Sequence, residues 1–136
     1  MTHLIPGFES TASALAAQKI HMQMISENIA NAQTTKDVNG KPYQRKIVAF
    51  ETLMDHSDPS NNTVHVRTIQ KDKAPDHYVY NPGHPHANSQ GMVQMPNVKV
   101  SQEMVDMMMA SRLYEANLKA FKLSQNMAQK TIQIGK

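Results

Sequence analysis

The sequence predicts an α+β chain. A long helix at each end pairs with the other as an antiparallel coiled coil, and a small β-rich module is inserted between them. Three observations predict this. From about Ser101 to Ile134 apolar residues recur at alternating steps of four and three, with no Pro or Gly before Gly135. From about Phe8 to Asn31 the same spacing appears. Between these stretches the period shortens to two and turn-forming residues cluster. The expected boundaries are 1–35 for the N-terminal helix of the coiled-coil domain, 36–97 for the β-rich module and 98–136 for the C-terminal helix.

In the first helix Phe8, Ala12, Leu15, Met22, Ile25, Ile29 and Ala32 form one stripe, with Gln18 or Lys19 as its weak point. Pro6-Gly7 marks the entry. Ala12, Ala14, Ala16 and Ala17 are small enough to let a neighbouring helix approach closely. Asn28 to Thr35 is dense in residues that favour caps and turns, so the helix should end there.

Asn39-Gly40 favours a primed turn, hence a hairpin or tight reversal. Tyr43–Phe50 reads as a strand with Tyr43, Arg45, Ile47 and Ala49 on one face. Asp55–Asn62 is a polar linker. Thr63–Gln70 and the shorter Asp76–Tyr80 are further strands, Asn81-Pro82-Gly83-His84-Pro85-His86 is a turn cluster, and Gly91–Pro96 holds a last short strand. Large apolar residues are few here, so the module's own core should be thin.

In the C-terminal helix Met107, Ser111, Tyr114, Leu118, Phe121, Gln125, Ala128 and Ile132 share a face, which Met104 extends backward by a turn. Ser101 is placed to cap the start. Glu103 and Asp106 lie in or near the first turn and Lys130 and Lys136 near the other end, each with the sign that the helix dipole favours. Glu115 and Lys119 form an i,i+4 pair. A single two-helix contact covers only part of each stripe, while ordering each helix costs backbone entropy along its length. That balance favours ends that order when neighbouring subunits cover the remaining surface.

Composition excludes several classes. The 136 residues suit one domain, and aromatic residues make up 5% with no Trp, so a large aromatic core is out of reach. With no Cys, disulfides and thiolate metal sites are excluded. The net charge of +3 is spread along the chain rather than gathered on one face, which argues against nucleic acid as a partner. No apolar run approaches the ~20 residues that cross a bilayer, so membrane insertion is not expected. The N-terminus lacks the basic and apolar regions of a cleaved signal peptide.

Three segments carry a specific resemblance. Ser26-Glu27-Asn28-Ile29-Ala30-Asn31-Ala32-Gln33-Thr34-Thr35, leading into Gly40-Lys41-Pro42-Tyr43-Gln44-Arg45-Lys46, resembles the N-terminal signature of bacterial flagellar rod and hook proteins. Asn81-Pro82-Gly83-His84-Pro85, with Gly91 and Met95-Pro96-Asn97-Val98, is similar to the proximal-rod members of that family. So is Glu103-Met104-Val105-Asp106-Met107 with Ala110-Ser111-Arg112-Leu113-Tyr114-Glu115-Ala116-Asn117 and the terminal Ile134-Gly135. The turn at Thr35-Lys36-Asp37-Val38-Asn39 departs from the commoner pattern. The resemblance implies a structural, non-enzymatic subunit of the basal-body rod in the periplasm. It implies export without a cleaved signal through the flagellar type III apparatus. Its partners would be copies of itself and other rod subunits. The terminal helices would line an inner tube with the β module outside. A distal-rod or hook-type axial subunit is the near alternative.

The candidate assembly residues are Phe8, Leu15, Met22, Ile25, Asn28, Ile29 and Asn31 in the first helix. In the second they are Met104, Met107, Met108, Ser111, Arg112, Tyr114, Glu115, Asn117, Leu118, Phe121 and Ile132. For Asn28 and Asn31 two roles stand open, a helix C-cap or a bridge to a neighbouring subunit. For Arg112 and Glu115 they are a solvated pair or an inter-subunit salt bridge. No cofactor is expected. His84-Pro85-His86 with His77 raises a small His-dependent metal-binding domain as the other class, but structural zinc wants four ligands and the simpler reading is surface turn histidines. Asp55, His56 and Ser57 have the residue types of a catalytic triad, which requires convergence in space rather than adjacency in sequence. The five glycines form no phosphate-binding loop.

Overall fold

The computed structural model describes residues 8–54 and 62–134. Two helices, α1 (Phe8–Ala30) and α2 (Val100–Ile134), flank four strands, β1 (Lys46–Leu53), β2 (Thr63–Lys71), β3 (His77–Tyr80) and β4 (Met92–Met95). The Asp55-His56-Ser57 cluster, Pro6-Gly7 and Lys136 lie outside the described residues.

The helices run antiparallel. At the start of α1 the Phe8 ring packs on Phe121, with centroids 4.4 Å apart. Near its end Asn28 reaches Glu103, in the first turn of α2. At 1.5 Å per residue α1 is ~35 Å long and α2 ~52 Å, so Lys122–Ile134 extends beyond the Phe8–Phe121 contact.

α1 is the middle layer. α2 packs on one side of it and the β1–β2 hairpin on the other. Ser13 Oγ accepts a hydrogen bond from Val64 N at 3.1 Å, and His21 meets Phe50 edge-on at 5.5 Å. Glu9, Ala16, Lys19, Gln23, Ser26 and Ala30 form its narrow exposed strip. Gln18, the weak point of the predicted stripe, is half-buried, and its Oε1 finds no hydrogen-bond partner among the described residues.

β1 and β2 pair antiparallel from Lys46↔Lys71 to Leu53↔Thr63. Arg67 is the extra residue of a bulge opposite Ala49 and Phe50, a feature that increases local twist. The predicted strand Tyr43–Phe50 instead begins at Lys46 and continues to Leu53. Other partners take the groups that would extend it backward: Tyr43 N donates to Thr34 O, and Arg45 N donates to Asn97 Oδ1.

β3 and β4 form a second antiparallel pair, from His77↔Met95 to Tyr80↔Met92, that packs on neither helix. Asn97 ties this part to the rest, since its Nδ2 also donates to Asp72 O and Ala74 O. The core at the junction is as thin as the composition suggests: Ala32, Tyr43 and Val98, with Val100 against them. Asn39-Gly40 makes a tight reversal between α1 and β1. Gly40 N donates to Asp37 O and Gly40 has φ +72°.

Two end signals of α2 differ from expectation. The helix starts at Val100, with Lys99 O accepting from Glu103 N, so Ser101 lies inside the first turn instead of capping it. Its last turn contains no basic residue.

Among the described residues, two glycines with positive φ give a paired test. A Cβ at Gly40 would meet open space, whereas one at Gly91 (φ +73°) would sit 2.9 Å from the Tyr80 ring and 3.1 Å from Pro82 Cβ. Gly40→Ala should lower stability by about 1 kcal/mol through backbone strain alone. Gly91→Ala should cost roughly 2 kcal/mol or more, because strain and collision add. Urea denaturation of both variants reads the difference, and equal midpoints would contradict this account of the β3–β4 turn.

Candidate assembly site

The most buried polar side chains, Glu103 at 0% exposure and Asn28 at 1%, meet where α1 ends and α2 begins. Asn28 uses its whole amide. Its Nδ2 donates to Lys46 O (2.9 Å) and Glu103 Oε2 (3.0 Å), and its Oδ1 accepts from Lys46 N (2.9 Å) and the Tyr43 hydroxyl (2.9 Å). Toward Lys46 it thus behaves as a peptide group would, pairing with the first residue of β1 by both backbone atoms. All these partners are internal, so within the chain Asn28 is a tie that joins α1 to β1 and α2. Asn31 takes the cap role: its Nδ2 donates to Glu27 O, and its Oδ1 accepts from Thr34 Oγ1.

Arg45 supplies the opposite charge. Its Nε donates to Glu103 Oε1 at 2.5 Å, while Asp72 and Asp106 approach its other nitrogens at 3.5 and 3.6 Å. One guanidinium, on the residue just before β1, thereby joins the segment after β2 and the first two turns of α2. Burial opposes its charge, but bonding to Glu103 and the Glu103 and Asp72 charges hold its pKa above the ordinary value. Beside it, Lys46 pairs with Glu27. Burial, reinforced by the negative charges of Glu27 and Glu103, pushes the Tyr43 phenol up to about 12.

The seam of α2 against α1 therefore runs through Glu103 and Ala110 rather than through Met104, which is 53% exposed. Met107, Ser111, Tyr114, Asn117, Leu118, Phe121 and Ala128 are half-buried, while Gln125 and Ile132 face solvent. In α1 Ile25 is buried, and Phe8, Leu15, Met22 and Ile29 are half-buried. Met108, Arg112 and Glu115 are exposed, and neither Arg112 nor Glu115 closes an ion pair with a described residue.

A second stripe on α2 went unread in the sequence. Val105, Met109, Leu113, Ala116, Ala120, Leu123, Met127 and Ile134 recur at helical spacing, and all are exposed. Its large members range from 46% to 86% exposure. Met107-Met108-Met109 was the available signal, because three consecutive apolar residues cannot share one helix face. Arg112, Lys119 and Lys130 flank the stripe on one side. Elsewhere, His84 and His86 meet edge to face with ring centroids 5.3 Å apart, and His86 Nδ1 lies 2.8 Å from Thr35 Oγ1. Among the described residues no three His, Cys, Asp or Glu side chains are grouped to hold a metal ion.

Two predictions follow from the buried cluster. Arg45→Met should cost roughly 3–5 kcal/mol by leaving the buried Glu103 carboxylate without its cation, Glu103→Met should cost less because the half-buried Arg45 keeps Asp72 and Asp106, and the double substitution should cost much less than the sum. Equilibrium denaturation measures the cycle, and additive losses would count against the pair. Tyr43 has its folded pKa raised from 10.0 to about 12, so its contribution to stability is fully present below pH 10 and is lost as the pH rises through 12. A pH series of denaturation midpoints should fall across that window, and Tyr43→Phe should flatten the fall.

Comparison with known proteins places these features in a family. The family model described as "Flagella basal body rod protein" matches residues 8–36, and "Flagellar basal body rod FlgEFG protein C-terminal" matches 89–134. The two segments hold Asn28 and Glu103, one from each side of the buried cluster. Relatives described as "Flagellar basal-body rod protein FlgC" are similar over nearly the whole chain. The Bacillus subtilis protein is 40% identical over 93% of this chain and 94% of its own length. The Aquifex aeolicus protein is 36% identical over the full length of both. The Salmonella typhimurium protein is 38% identical over 94% and 95%. This chain belongs to the FlgC family of flagellar basal-body rod proteins.

Proposed function

We infer that the chain is a structural subunit of the proximal rod, polymerising with copies of itself and with other rod proteins to form the driveshaft of the flagellar basal body. Residues 1–35 and 98–136 act as the coiled-coil domain of the inner tube, and 36–97 form a β module outside it. Export proceeds through the flagellar type III apparatus without a cleaved signal, and the assembled rod stands in the periplasm.

One observation carries this reading furthest. The outer stripe of α2, from Val105 to Ile134, leaves a row of large apolar side chains in water along a helix ~52 Å long. A lone subunit gains nothing from such a row, whereas a neighbour that covers it gains apolar burial along the whole helix. The half-buried Tyr114, Leu118 and Phe121 tie the helix to α1 and hold the opposite side toward the body of the subunit. Arg112 and Glu115 stand beside the stripe, where they can pair across a subunit boundary.

Leu113→Asp with Leu123→Asp should abolish rod growth and motility while the secreted, isolated subunit keeps its helix content. Circular dichroism and electron microscopy of basal bodies read the two properties. Normal rods built from the double variant would overturn the reading.

A further inference from the structure

The outer stripe of α2 is rich in methionine. Met104, Met108, Met109 and Met127 are each 53–61% exposed. Met109 and Met127 lie within the apolar row itself, and their separation of eighteen residues is five full turns. The two residues therefore share one line along the helix, ~27 Å apart along its axis. Met108 borders the row on the side of Arg112, and Met104 lies one turn earlier and further round the helix. The chain has 11 Met but no Cys and no Trp, so thioethers are its most readily oxidised side chains. By contrast Met24 is buried between the layers, and Met107 is half-buried.

We propose that Met109 and Met127, with Met104 and Met108 beside them, are peroxide-reactive modification sites whose oxidation blocks assembly of the unincorporated subunit. The proposal rests on the reading of the outer stripe as a surface that neighbouring subunits cover. In each step the sulfur lone pair attacks one oxygen of hydrogen peroxide. The O–O bond breaks, an S–O bond forms, the sulfur is oxidised by two electrons, and the displaced oxygen leaves as water after proton transfer. The product sulfoxide is a strong hydrogen-bond acceptor where a neutral thioether stood. Closing an apolar seam over it strips that acceptor of water without supplying a donor, because the row around it is Val105, Leu113, Ala116, Ala120 and Leu123. Once neighbours have covered the row the same sulfurs are shielded, so the sensitivity belongs to the free subunit.

The test uses the purified full-length chain, hydrogen peroxide in timed doses, peptide mass spectrometry, and incorporation into seeded rods followed by sedimentation. Sulfoxide should appear early at Met104, Met108, Met109 and Met127, as at the still more exposed Met54 of the strand end, with Met24 spared. Incorporation should fall by about tenfold or more, and methionine sulfoxide reductase should restore it. A Met104→Leu/Met108→Leu/Met109→Leu/Met127→Leu chain, whatever its own starting level, should lose little further incorporation on treatment. Equal oxidation of Met24 and Met109, unchanged incorporation of the oxidised chain, or a full peroxide effect in the Leu variant would each overturn the proposal and leave the assembly reading standing. Failure of the untreated chain to enter rods would overturn the assembly reading, and this proposal with it.

Discussion

A single buried carboxylate sets the geometry of this subunit. Glu103 has no exposure to water, and a carboxylate in that position is tolerated only where full partners meet it. Arg45 and Asn28 are those partners, and they come from β1's approach and from the last turns of α1. The arrangement can close only when the two helices run antiparallel, with the start of α2 beside the end of α1 and the chain entering β1 across both. An apolar contact would tolerate sliding by a turn, but this cluster does not. Phe8 on Phe121, at the far end, then follows from the same register.

The tie matters because the packing of α1 against α2 and the hairpin is apolar and not directional, while this cluster is. The junction core is Ala32, Tyr43 and Val98, and the second sheet rests on no helix. Polar contacts take over the work that a larger core would do. Asn28 substitutes for a strand at Lys46, Asn97 joins three backbone groups, and Asn31 closes the end of α1. Such directional contacts specify one arrangement without much buried area, and that leaves the outer face of α2 uncommitted. The same division suits a rod protein: an internally fixed helix pair with an apolar row turned outward.

Much of this was legible from residue spacing. Both helices, the strand at Thr63 and the thin middle follow from periodicity and turn residues alone. The first strand shifted by three residues because Tyr43 and Arg45 alternate as strand residues would, while their partners lie 15 and 58 positions away in sequence. Met104 was assigned to the α1-facing seam because hydrophobicity outranks Glu103 in any local pattern. Only the distant Arg45 and Asn28 together make an inward glutamate acceptable. The outer stripe was masked because α2 carries apolar residues on two faces, and selecting one face hid the other. Asn28 stood out by its residue type, but nothing local distinguished an amide turned into its own chain from one offered to a neighbour.

The central claim is that the buried cluster orders the subunit near the helix junction, while the far part of α2 awaits neighbours. Amide hydrogen exchange along α2, in the free chain and in assembled rods, tests it most directly. The account predicts slow exchange from about Glu103 to Phe121 in both states, and exchange from Lys122 to Ile134 that is fast in the free chain and slow in the rod. Protection of that last segment in the isolated chain equal to its protection in the rod would contradict it.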